Sequence, residues 1–169
     1  MNATDILKYG QLTVLRSLDG LPDSAWGTEG VCGWWSVKDI IAHLASFEHV
    51  LVEVLNTCLT GGPTPTLDQY RGEKGDEFNH AQVELRRGNS PGEVLMEYNE
   101  TQARTMSLVA RISPETLRQT GTIPWYGIEY ALDDFIVYAY YGHKREHTAQ
   151  INVFRDLLKS QGLLGMPDA

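Results

Sequence analysis

Residues 131–158 read ALDDFIVYAYYGHKREHTAQINVFRDLL, a stretch long enough for a single helix of many turns. At about 100° per residue it sets Leu132, Ile136, Ala139, Tyr140, His143, His147, Gln150, Ile151, Phe154 and Leu157 on one face. That face is otherwise a core face, and Lys144 and Arg145 are expected to turn away from it into water. Two imidazoles four residues apart lie one turn over the other, near enough to grip one metal ion. The alternative is a pair of packed core histidines, each hydrogen-bonded to a neighbour. Neutral imidazoles side by side need partners that an aliphatic core does not readily supply, so a third inward histidine decides between the two readings.

An earlier helix offers one. Ser36-Val37-Lys38-Asp39 supplies a hydroxyl cap with an acid three residues on, and Trp35 ahead of it can pack on Ile40 as a hydrophobic staple. The helix runs through Ile41, Leu44, Leu51 and Leu55 to Thr60-Gly61-Gly62-Pro63. His43 stacks with Ile40, Phe47, Val50 and Val54 and is expected inward. His49 shares its stripe with Ser46, Glu53 and Asn56 and is expected to be solvated. His80, in a short helix over Asp76 to Arg87, has no sign of burial around it. His43, His143 and His147 thus form a three-nitrogen set suited to an open site for zinc, nickel or iron, with water or substrate in the remaining positions.

The rest of the chain is read as helical. Thr4 to Leu18 is amphipathic and ends at Asp19-Gly20-Leu21-Pro22. Gly61 to Gly75, rich in glycine, threonine and proline, reads as a long loop between the second and third long helices. Ser90-Pro91-Gly92-Glu93 caps the third, which runs to Ile112; Ser113-Pro114 opens a single turn, and Gln119 to Tyr130 reads as a loop or short hairpin. The expectation is an all-α chain: an antiparallel four-helix bundle over residues 1–162, with one or two short extra helices, and a short tail over 163–169.

Composition narrows the function. The 169 residues are 42% apolar, with 14 basic against 22 acidic residues and a formal net charge of -8. Such a charge repels phosphate backbones and anionic lipid, and neither nucleic acid nor membrane is an expected partner. The N-terminal residues lack the basic-then-apolar plan of a secretion signal, and the chain reads as cytoplasmic. Cys32 and Cys58 lie far apart, fit neither a thiolate zinc cluster nor a disulfide scaffold, and are expected to be ordinary thiols. His143-Lys144-Arg145-Glu146-His147 also fits the H-x-x-E-H pattern of inverted zinc peptidases. The acids after it, Asp156 and Asp168, lie on the same helix or in the tail, so a third ligand has to come from upstream. Glu77-x-x-His80 occurs once only, which disfavours a two-metal carboxylate centre.

Trp35-Ser36-Val37-Lys38-Asp39-Ile40-Ile41-Ala42-His43-Leu44, with His143-x-x-x-His147-x-x-Gln150-Ile151, resembles the DinB-like metal-binding bundle superfamily over nearly the whole chain. Asp76-Glu77-Phe78-Asn79, Ser90-Pro91 and Ile123-Pro124-Trp125-Tyr126-Gly127 resemble its DfsB/ClbS branch. The resemblance implies a four-helix bundle, often a homodimer, with a divalent metal on three histidines; by position these are His43, His143 and His147. It also implies thiol S-transferase, thiol-dependent isomerase or metal-dependent hydrolase activity, associated in that branch with resistance to reactive metabolites, with a low-molecular-weight thiol as co-substrate for the thiol-dependent reactions.

The favoured expectation is therefore a metal-dependent enzyme acting on a small reactive molecule. Glu48 and Glu146 are candidates for proton handling, although a structural ion pair or a surface position would also explain either. Tyr140, Trp125 and Tyr126 are candidates for a substrate pocket. A bundle that sequesters a small molecule or toxin without turnover is the alternative, and an inert bundle with buried histidines a third.

Overall fold

The computed structural model describes residues 2–164. Its elements are α1 (Ala3–Leu18), a 3-10 turn (Asp23–Ala25), α2 (Val37–Leu59), α3 (Pro65–Gly72), α4 (Gly75–Leu85), α5 (Pro91–Val109), α6 (Pro114–Arg118), α7 (Leu132–Ile136), a π-helical stretch (Val137–Gly142) and α8 (His143–Ser160). Among the described residues there is no strand, and Cys32 and Trp35 form an isolated bridge. No helix among these residues is long and apolar enough to cross a membrane.

The capping sequences act as they read. Ser36 and Asp39 form a reciprocal capping box at the start of α2, and Ser90 and Glu93 do the same for α5, with Pro91 in the first turn. The third long helix stops at Val109, three residues earlier than expected, yet Ile112 is still buried. Cys32 and Cys58 are free and half-buried. Leu164 packs on the core, whereas residues 165–169 of the expected tail lie outside the described residues.

Two apolar clusters make the core. The first gathers Val14, Leu18, Ile40, Leu44, Tyr98 and Ile151; the second gathers Leu7, Leu51, Leu55, Val109, Leu132 and Tyr140. The chain order of these residues gives the helix directions. α1 and the α7–α8 rod run from the second cluster to the first, while α2 and α5 run from the first to the second. α2 packs along α5 and α1 along α8. The expected antiparallel bundle is thus corrected: the packed pair α2 and α5 is parallel. The physical reason is the long crossover over residues 60–90, which carries the chain back to the end where α2 began.

That crossover is not the long loop expected from Gly61 to Gly75, because α3 occupies most of it. The start of α3 has no cap of its own. The Glu53 carboxylate on α2 accepts from the Thr66 and Leu67 backbone N–H groups instead, at 3.2 and 2.8 Å, and Leu67 is buried in the core. A cap supplied from another helix leaves no local signature in the sequence.

A layer of buried polar groups separates the two clusters. The Glu48 side chain is 0% and the Lys144 side chain 2% exposed, and their charged atoms meet at 2.5 Å. Thr105 Oγ1 donates to Glu48 Oε2 at 2.9 Å, and Lys144 Nζ donates to Gln102 Oε1 at 3.1 Å and lies 5.6 Å from the Tyr98 ring. Gln102 Nε2 in turn donates to the Leu7 carbonyl at 3.3 Å. On α1, Gly10 leaves room for the Lys144 stem: a Cβ there would stand 3.2 Å from Lys144 Cδ. The expected outward placement of Lys144 is therefore wrong.

The π-helical stretch explains the error. Leu132, Ile136, Tyr140, Lys144 and Thr148 are all buried, at steps of four. In a regular helix each such step drifts by about 40°, so Thr148 would sit about 160° from Leu132. The wider π turn absorbs that drift and keeps all five on one side. The same change of phase exposes Leu157 and buries Leu158, against the expected face.

Replacing Lys144 by methionine should leave the Glu48 carboxylate buried and unpaired, lowering unfolding free energy by about 3–5 kcal/mol in urea titrations. Adding Glu48→Gln to that variant should recover most of the loss. A single variant as stable as the parent would show that the pair is not buried as described.

Candidate metal centre

α2 and the start of α8 meet where the three histidines were expected to converge. His43 Nε2 lies 2.8 Å from His143 Nε2, and His147 Nε2 lies 2.9 Å from the same atom. One ligand atom from each ring lies within 4.8 Å of the other two, and no other such group of histidine, cysteine or acidic residues occurs among the described residues. His43 and His147 are buried and His143 half-buried. The capping box at Ser36 fixes the start of α2 two turns before His43, and the π turn delivers His143 at the first position of α8.

Aromatic rings enclose the cluster. Trp35 lies 4.9 Å from the His43 ring and 6.3 Å from that of His147, centroid to centroid; Phe47 stands 4.8 Å from His43 and 4.5 Å from His143. Burial, with the neighbouring imidazoles, lowers the His43 pKa to about 2. Burial first, then His147 and Lys144, lowers that of His143 to about 3. Burial also lowers His147, against the opposing pull of Gln150. The rings are thus neutral near pH 7, and their lone pairs are free to bind a cation.

The donor set fits a divalent ion that takes imidazole. The Gln150 amide oxygen lies 2.8 Å from His147 Nδ1, which places the ring proton there and turns the Nε2 lone pair toward the other two rings. Each Nε2 faces another Nε2, and one shared proton cannot satisfy both contacts at His143. Tetrahedral zinc at its usual bond length spaces its nitrogen ligands by about 3.3 Å, a few tenths of an ångström wider than these contacts.

The other candidate residues lie apart from this centre. Glu48 is occupied by Lys144 and Thr105. Glu146 is exposed. No carboxylate hydrogen-bonds to any of the three rings among the described residues. Tyr140 is fully buried in the second cluster and fills core instead of lining a pocket. Its hydroxyl has no partner, and burial followed by the Glu48 charge pushes its pKa up. Trp125 and Tyr126 do line a cavity, of about 460 Å³, together with Tyr70 and Arg71.

His49 is not the freely solvated residue expected. It lies 2.9 Å from Glu97, which also binds Arg86. These contacts, His49 first, hold the Glu97 carboxyl down at about 2. His80 is exposed, as expected. Trp35, read as a staple and as the start of the family-like stretch but not as part of the site, is the residue that sequence reasoning undervalued. Its place eight residues before His43, just outside the helix cap, was the available signal.

The DinB superfamily model matches residues 8–151, and the chain belongs to that superfamily. No curated protein and no solved structure matches it.

In chelator-treated protein, stability should be full above pH 6.5 and fall as the pH drops toward 3. The unfolded histidines titrate near 6.5 and the folded ones lower, so below 6.5 the unfolded chain binds more protons. Each such ring costs up to about 1.4 kcal/mol per pH unit across that window. Urea midpoints at pH 7 and pH 5 read the effect, and His43→Gln should shrink the difference. An unchanged difference in that variant would mean that His43 is not buried in its neutral form.

Proposed function

We propose that this chain is a metal-dependent enzyme acting on a small reactive molecule, by hydrolysis or thiol transfer, with His43, His143 and His147 as the metal ligands. The observation that carries the reading is the convergence of three imidazole nitrogens at 2.8 and 2.9 Å, two of the rings buried and one half-buried, one with its tautomer set by Gln150. When bound, a divalent ion on three uncharged ligands keeps its full positive charge and lowers the pKa of a coordinated water or thiol toward neutrality.

The chain's own residues supply the setting. Gln150 holds the His147 proton on Nδ1 and so keeps Nε2 as a donor toward the shared point. Trp35 and Phe47 cover the rings and limit the water that reaches them. Thr105 and Lys144 hold the Glu48 charge away from the histidines, so it is a structural ion and not a base at the site. With Glu146 exposed, proton exchange would fall to solvent or to the substrate itself.

The DfsB/ClbS branch is our finer reading within the superfamily, on the Ser90-Pro91 cap of α5 and the turn from Ile123 to Gly127. A low-molecular-weight thiol co-substrate, a detoxifying role, a homodimer and a cytoplasmic location are parts of the same proposal. The lack of a carboxylate on the three rings favours a second reading, a bundle that holds a small molecule stoichiometrically without turnover.

Elemental analysis of untagged protein should find about one divalent ion per chain, and His147→Ala should lose it while keeping its helical circular dichroism. Supplied at catalytic concentration with and without cellular thiols, the loaded protein should consume a reactive electrophile over many turnovers. Protection that stops at one molecule per chain would establish the sequestering alternative, and full metal occupancy in His147→Ala would remove the three-histidine premise.

A further inference from the structure

Beside Trp35, a second cavity of about 480 Å³ opens between the approach to α2 and the first turns of α4. Trp34 and Trp35 line it from one side, and Asp76, Glu77 and Asn79 from the other. Its volume is that of a cleft for a small organic molecule.

Trp35 ties this cavity to the histidines, because the same indole lines it and packs on His43 and His147. Trp34 is 64% exposed, an unusual position for so large an apolar ring, and its only aromatic neighbour among the described residues is His80, edge-on at 5.3 Å. Neither tryptophan carries a cationic side chain on its face among the described residues. In the cavity at Trp125 the opposite holds, since Arg71 lies 5.5 Å from that ring.

Of the polar groups lining the Trp34–Trp35 cavity, the carboxylates of Asp76 and Glu77 carry negative charge, and His80 lies beside them. Asp76 and Glu77 have no salt-bridge partner among the described residues, Asn79 Oδ1 has no hydrogen-bond partner, and no lysine or arginine lines the space. Two carboxylates and an amide oxygen beside two open indole faces attract a positive charge on a flat ring system. An anionic molecule of the same shape would meet repulsion from the same groups.

We propose that this cavity is a binding site beside the histidine centre, with Trp35 between the two, and takes a flat aromatic molecule carrying a cationic nitrogen. The binding preference stands on the cavity and does not depend on the reading of the three histidines as a metal site. The ring lies against the indoles and the positive nitrogen faces Asp76 and Glu77.

The test uses calorimetric titration of the full-length protein with N-methylquinolinium and, separately, with 2-naphthoate, a flat anion of similar size. The cation should bind at least tenfold more tightly. Asp76→Asn with Glu77→Gln should weaken it at least fivefold and erase the preference, and Trp34→Ala should weaken it by a similar factor, both with unchanged circular dichroism. Both acids sit in the first turn of α4, where a purely helix-stabilising role would lower the melting temperature and leave the cation preference intact; that result would overturn the proposal. Equal binding of the two probes, or none of either, would overturn it as well. Metal content, measured on the same samples, separates the two readings: protein that holds metal and ignores the cation refutes the binding site alone, and protein that binds the cation without holding metal refutes the metal centre alone.

Discussion

Two opposite charges in the middle of an apolar bundle constrain nearly everything else in this molecule. Removing a carboxylate and an ammonium from water costs several kcal/mol each, and the cost is met only if the two meet and their remaining hydrogen-bonding capacity is used. Glu48 and Lys144 meet, and Thr105, Gln102 and the face of Tyr98 complete the shell. These partners come from α2, α5 and α8, so their register is fixed at one level. The residue before Lys144 is His143, and the register that buries the lysine also carries that histidine to His43. A bundle sliding by one turn would lose both arrangements together.

The histidine site depends on a departure from regular helix geometry. Straight α-helix from Leu132 onward cannot keep Leu132 and Thr148 facing the same way. The π turn from Val137 to Gly142 allows it, and such turns are often found where a helix carries function. Its benefit is local: it presents Lys144 and two metal-competent rings on neighbouring turns of a single helix.

Much of this was legible from the sequence, and what was missed has physical causes. The capping boxes at Ser36 and Ser90 are local hydrogen-bond patterns and fold as they read. The three histidines were found because imidazole on an apolar stripe is anomalous wherever the exact phase falls. Lys144 was misplaced because hydropathy places every lysine outside and no local signal announced the π turn or the Glu48 counter-charge. α3 was missed because its cap comes from Glu53, on another helix. The parallel α2–α5 pair follows from that same crossover, whose return path periodicity alone does not reveal.

The borrowed cap on α3 also bears on how the molecule breathes. A helix of eight residues has little stability by itself, so α3 persists only while the Glu53 carboxylate and the buried Leu67 hold its first turn against α2. The end of the crossover is tied down by a polar chain from Gln69 through Gln82 and Arg86 to Glu97, part of it open to solvent. This segment consequently opens locally at lower cost than separation of the four long rods. Its first loosening would uncover Tyr70 and Phe78, and through their contacts with Phe47 the rings of the histidine cluster.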